Sequence, residues 1–72
     1  MDLATIDTSQ SLGATIRRRR VELGLSQSAL ADVARTTLRF ISELENGKSS
    51  AQLDGVLRVL AALGIELVAR QR

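Results

Sequence analysis

The chain has no histidine, cysteine, proline, tryptophan or tyrosine, and a single phenylalanine, Phe40. Without histidine and cysteine there is no imidazole base, no thiolate nucleophile and no usual zinc-ligand set. The carboxylates are scattered and no glycine-rich phosphate loop is present, so the sequence argues against an enzyme, and it calls for no cofactor and no metal. The lack of cysteine also removes disulfides and fits a reducing compartment. No apolar run is long enough to span a bilayer and no signal-peptide pattern is seen, so a soluble, cytoplasmic protein with no membrane partner is expected. Lacking proline and rich in Leu, Ala and Arg, the composition suits an all-α fold with an aliphatic core. Seventy-two residues allow one domain. So small a core without a staple is marginal, and association with a second copy is an expected source of stability.

Net charge is only +2, but it is uneven. Residues 1–16 carry Asp2 and Asp7 and no base, and residues 17–20 are four consecutive arginines. By itself such a run is often a solvated face. Its neighbours give it meaning. From Ser26 to Lys48 the chain reads SQSALADVARTTLRFISELENGK. Ser26 can cap a helix whose apolar face is Leu30, Ala31, Val33 and Ala34. Arg35-Thr36-Thr37 interrupts the pattern, Thr37 caps a second helix to about Asn46, and Gly47 stands where a left-handed residue ends it. Two short helices and a tight turn have the size of a helix-turn-helix unit. With Ile41 inward, Arg39 and Glu43 of the second helix point away, flanked by Phe40, Ser42 and Asn46. Such a face can donate to and accept from base edges. An ordinary solvated face, with Arg39 and Glu43 merely paired at i,i+4, is the plain alternative, and the surrounding unit favours a recognition helix.

Residues 1–8 lack a sustained pattern and are read as a mobile leader. Thr8 or Ser9 can cap a first helix to about Leu23, with Leu12, Ile16, Arg20 and Leu23 on one side. Gly24 ends it and Leu25 enters the core. After a polar linker, a helix over about Gln52 to Leu63 carries a wide stripe of Leu53, Val56, Leu57, Leu60 and Leu63, extended by Val59, Ala61 and Ala62. That exceeds what one small core needs and hints at a partner. Gly64 stops the helix. Ile65 to Arg70 then alternates in part, with Ile65, Leu67 and Ala69 on one side, and reads as a strand. A lone strand leaves backbone groups unpaired, so it is expected to pair with its copy in a homodimer, backed by Leu60 and Leu63. Ile65, Leu67, Val68 and Ala69 complete the expected interface. A continued or frayed helix is the alternative. The chain thus divides into a leader (1–8), a DNA-binding domain (9–64) and a dimerisation strand (65–72).

Arg20, Gly24, Leu25, Gln27, Leu30, Ala31, Ile41, Leu44, Glu45, Gly47 and Lys48 together resemble the Cro/C1-type (Xre-like) helix-turn-helix repressors, over roughly Leu12 to Leu63. The resemblance implies a lambda-repressor-like bundle of four helices. It implies base reading from Thr37, Leu38, Arg39, Phe40, Ser42 and Glu43, with Phe40 on a thymine methyl or against its own fold. It implies phosphate contacts from Gln27 at the start of its helix, and from Thr36, Asn46 and Lys48. Arg20, otherwise out of place among apolar neighbours, would form a partly buried pair with Glu45, leaving Arg17, Arg18 and Arg19 for solvent or phosphate, of which Arg17 and Arg19 are the expected phosphate contacts. Arg35 departs from the family, which has glycine there. A left-handed residue would cost roughly 1–2 kcal/mol, so a slightly altered turn is expected. The Leu-rich last helix and short tail strand, with the Arg39-to-Lys48 run, are similar to the HipB-type antitoxins. That implies a dimer on a palindromic operator, repression of its own operon and a HipA-type kinase toxin as partner. A stand-alone regulator without a toxin, and an interaction module without DNA binding, are the alternatives.

Overall fold

A computed structural model describes residues 3–72; Met1 and Asp2, the first two residues of the expected leader, lie outside the described residues. It contains four helices and, among the described residues, no strand: α1 (Ser9–Glu22), α2 (Gln27–Ala34), α3 (Leu38–Glu45) and α4 (Leu53–Ala62). Three of them begin on a side-chain cap that satisfies an orphan backbone donor. Thr8 Oγ1 accepts from the Ser11 backbone N–H at 2.9 Å, and Ser11 Oγ accepts in return from the Thr8 N–H at 3.1 Å. Ser26 Oγ accepts from the Ala29 N–H and Thr37 Oγ1 from the Phe40 N–H, both at 3.0 Å. Gln52 precedes α4 without a side-chain cap bond.

The helix ends share one device. Each is closed by a six-to-one bond: Leu25 N–H to Arg20 O, Thr36 N–H to Ala31 O, Lys48 N–H to Glu43 O and Ile65 N–H to Leu60 O. This motif needs a left-handed residue just before the closing donor. Gly24, Gly47 and Gly64 supply it in three helices, and Arg35 supplies it in α2 with φ 58° and ψ 48°. The turn between α2 and α3 is therefore not altered to suit Arg35. The two hydrogen bonds of the motif and the core on either side hold the non-glycine residue in the glycine conformation.

Ile16 of α1, Leu30 of α2, Ile41 of α3, and Val59 with Leu63 at α4 are wholly buried; Ala31, Ala34, Leu44, Val56 and Leu60 complete the core. α3 packs on both α1 and α2, and α4 closes the bundle against α2. The close crossing of α1 and α3 depends on Gly13, because a Cβ there would run into the backbone carbonyl oxygens of Leu44 and Glu45. Gly55 of α4 plays the same part for Phe40, whose ring lies 2.6 Å from where a Cβ would stand.

Two expectations about α4 and the tail change. Leu60 and Leu63 are 3% and 1% exposed, inside the chain's own core, and Ile65 packs against that core half-buried. They are not available to back a second subunit. The wide apolar stripe is shared between two sides of the helix, as the 3.6-residue period requires: Val56, Val59, Leu60 and Leu63 face in, while Leu53, Leu57 and Ala61 face out. After Ile65 the chain forms neither helix nor strand, and Leu67 and Val68 are 63% and 67% exposed.

Candidate nucleic-acid interface

The α2-turn-α3 unit carries the expected contact residues in three places: the exposed side of α3, the N-terminus of α2 and the loop after α3. Along α3, Arg39 and Asn46 are exposed, with Ser42 and Glu43 half-buried between them. Leu38 at the first turn is also exposed, at 53%. Thr37 is exposed too, but its hydroxyl oxygen already accepts from the Phe40 N–H. Thr36 is half-buried in the turn. Phe40 is the exception among the expected base-reading residues. It packs between α3 and Gly55 of α4 against the core, because it stands about 100° from Arg39 toward the buried side. Of its two alternatives, packing within the fold is the one adopted.

Glu45 closes α3 on the other side. Arg20 Nε donates to its Oε2 at 2.6 Å and Arg20 Nη2 to its Oε1 at 3.0 Å, a bidentate pair with side chains 12% and 2% exposed. Arg20 Nη1 also donates to the Leu25 carbonyl at 2.8 Å. The Glu45 hydrogen bond raises the affinity of the Arg20 guanidinium for its proton against the opposing effect of burial. Burial pushes the Glu45 carboxyl up, but it is outweighed by hydrogen bonds from Arg20 and Gln27 and by the charges of Arg20 and Arg17, so its pKa lies below the usual carboxylate range. Gln27 Nε2 donates to Glu45 Oε1 at 3.1 Å, which ties the side chain expected at a phosphate to the ion pair. This orients the amide at the N-terminus of α2 and leaves its carbonyl oxygen and the helix N–H groups outside the pair. Arg17 is exposed and close enough for its charge to act on Glu45, so it flanks the same end of the unit.

Arg19 is placed differently from the expectation. Its Nε donates to the Leu63 carbonyl at 3.0 Å and its guanidinium stands 3.7 Å from Glu22. A cation on an orphan carbonyl at the end of α4 is a helix cap, so Arg19 is tied to the fold through its Nε while its side chain stays 41% exposed. Arg58 does the same for α2, donating to Ala34 O at 3.1 Å. Sequence reasoning missed Arg58 and Gly13. Nothing in the spacing marks Arg58, but a glycine inside a well-capped helix is itself a signal of close approach.

The outward face of α3 is charged and cross-linked. Arg39 Nε donates to Glu43 Oε2 at 3.3 Å, and Lys48 Nζ donates to Glu43 Oε1 at 3.2 Å. The bond from Lys48, then that from Arg39, hold the Glu43 carboxyl below its ordinary pKa. A shallow pocket of about 180 Å³ lies beside it, lined by Phe40, Glu43, Leu44, Lys48, Ser50, Ala51 and Gln52. Among the described residues there is no cluster of acids that could hold a metal ion, and no helix is long and apolar enough to cross a membrane.

Comparisons with known proteins bear on the family and the fold. A helix-turn-helix family model matches residues 16–69. The chain is 47% identical over 62 residues to y4mF, an uncharacterised HTH-type transcriptional regulator of Sinorhizobium fredii (strain NBRC 101917 / NGR234), a match covering 86% of this chain and 82% of that one. In fold it is similar to a HipB variant in an O2 20-mer complex (TM-score 0.88, 20% identity, 97% of each chain). It is also similar to HipB in an O4 20-mer complex and in a HipA–HipB–O2–O3 complex, each with a TM-score of 0.87, 22% identity, and 96% of this chain and 97% of that one covered.

Proposed function

The chain belongs to the helix-turn-helix family of transcriptional regulators, and from that premise we propose that it is a homodimeric repressor that reads a palindromic DNA operator with α3. The observation that carries this reading is the row of exposed Arg39, half-buried Glu43 and exposed Asn46 along α3 and its C-cap, with Ser42 half-buried beside it. The row is held rigidly on the Arg20–Glu45 pair, next to Gln27 and Arg17 at the start of α2. Arg39 has the donor fork for a guanine edge, Glu43 the acceptor for a cytosine amino group, and Ser42 with the backbone-proximal Thr37 and Leu38 fills the flanks. Arg17, Gln27, Thr36, Asn46 and Lys48 are the phosphate set, and they fix register without reading sequence.

Dimerisation uses what the fold leaves outside: Leu53, Leu57 and Ala61 along α4, and Leu67, Val68 and Ala69 in the tail. Two tails pairing as antiparallel strands would satisfy backbone groups that one chain leaves open. An isolated two-stranded ribbon is marginal in water, so the outward face of α4 is its natural backing. The likeness in fold to HipB solved with HipA supports a further step, in which this protein is the antitoxin of a HipBA-like pair that represses its own operon and neutralises a kinase toxin. The test of the core reading is binding of the full chain to duplex DNA over a range of salt. Affinity should fall steeply and linearly on a log–log scale, with a slope set by the phosphates contacted. Absence of any DNA binding at low salt would reject it. Co-purification with the product of the neighbouring gene tests the toxin step separately.

A further inference from the structure

Both oxygens of the Glu43 carboxylate are taken by cations. Oε2 holds Arg39 from the first turn of α3, and Oε1 holds Lys48 from the loop beyond it. Arg39 is the most exposed of the three, its side chain 84% accessible against 45% for Lys48 and 34% for Glu43. The acid is thus set back between two bases at the centre of the surface that would meet DNA. We propose that Glu43 is a specificity-determining residue that acts by withholding Arg39 and Lys48 from non-operator DNA. This rests on the reading of α3 as a DNA-binding helix.

The reason is electrostatic. Affinity for DNA of any sequence rises with the number of phosphates that Lys and Arg neutralise. A phosphate that binds Arg39 or Lys48 either lies beside the Glu43 carboxylate, like charge against like, or displaces it from their hydrogen bonds. On a wrong sequence nothing offsets that cost. On the right one, a cytosine amino group in the major groove donates to Glu43, and both cations are released at the same moment to a guanine edge and to the backbone. Discrimination then comes from a penalty placed on the wrong partner as well as from contacts with the right one. An ordinary exposed ion pair would have no such effect on the ratio of the two affinities.

Glu43→Gln tests this, since the amide keeps the shape and helix propensity of the side chain and removes the charge. The dissociation constant of the full chain is measured on its selected operator duplex and on a scrambled duplex of equal length, across salt. Scrambled-duplex affinity is expected to rise on the order of tenfold, with a salt slope steeper by about one to two, as one or two more phosphates are engaged. The ratio between operator and scrambled duplex should fall, and the gain should vanish in the Arg39→Ala/Lys48→Ala background. Unchanged scrambled-duplex affinity, including the case in which operator affinity alone drops, would overturn the proposal and leave Glu43 a simple base reader. A wild-type chain that binds neither duplex would overturn the DNA-binding reading itself, an outcome visible before any variant is compared.

Discussion

Glu45 accepts three hydrogen bonds, from Arg20 Nε, Arg20 Nη2 and Gln27 Nε2, with a side chain almost wholly out of water. Removing one partner of such a pair strands the other charge, at a cost of roughly 3–5 kcal/mol. Arg20→Ala is therefore expected to lower the melting midpoint by at least about 12 °C, at about 4–8 °C per kcal/mol for a domain of this size. Arg17→Ala should leave the midpoint in place and weaken all DNA sequences alike. Arg19→Ala should behave unlike Arg17→Ala, losing about 1 kcal/mol with its bond to the Leu63 carbonyl. Thermal melts of the three variants check this together, and equal midpoints for Arg17→Ala and Arg20→Ala would contradict it. The Glu45 carboxyl also carries a pH signature. Its folded pKa is depressed, so its contribution to stability is complete above the unfolded value of about 4.3 and is lost as pH falls through the folded value. The stability gap between wild type and Glu45→Gln should accordingly be widest at neutral pH and narrow in urea titrations as pH falls from the unfolded value through the depressed folded value. At α3, Arg39→Ala is expected to lose roughly 1–3 kcal/mol of operator affinity and to relax preference at one base position; unaltered selectivity would mean that α3 is turned differently on the groove.

At the scale of the element, caps and stops were legible in the sequence because each is a local matter. Thr8, Ser26 and Thr37 stand where the structure uses them, and Gly24, Gly47 and Gly64 end three helices. The Arg20–Glu45 pair came from resemblance alone, and the positions that depend on which helix crosses which were not legible. Phe40 has a neighbour only because Gly55 makes room on α4, and Arg19 meets Leu63 only because α4 ends beside α1. Leu60 and Leu63 could be assigned to a stripe but not to one side of it, since α4 is apolar on both. Two substitutions test the elements. Gly13→Ala gains helix propensity but drives a methyl into the carbonyls of Leu44 and Glu45, backbone that cannot rotate aside. A net loss of roughly 1–3 kcal/mol is expected from overpacking. Arg35→Gly goes the other way: it relieves a left-handed arginine at the end of α2, and even after the added entropy of an unfolded glycine a gain of about 0.5–1 kcal/mol is expected. Denaturant midpoints read both, and a stabilised Gly13→Ala would show that α1 and α3 do not cross as closely as described.

At the scale of the molecule, a chain of 36 × 27 × 18 Å presents one α3, and a two-fold axis supplies the second. Deletion of residues 66–72 keeps Ile65 on the core while removing Leu67, Val68 and Ala69, so the monomer fold should persist while sedimentation shifts toward monomer and operator affinity falls. Two recognition helices in successive major grooves lie about 34 Å apart, which makes a palindrome the expected operator. The most direct measurement is selection of bound duplexes from a random-sequence library by the full chain. Enrichment of an inverted repeat, its half-sites about one helical turn apart or a multiple of it and degraded at one position in each half by Arg39→Ala, is the predicted result. Recovery of duplexes with no shared sequence, or of a motif that Arg39→Ala leaves intact, would contradict the assignment of α3 as the element that reads DNA.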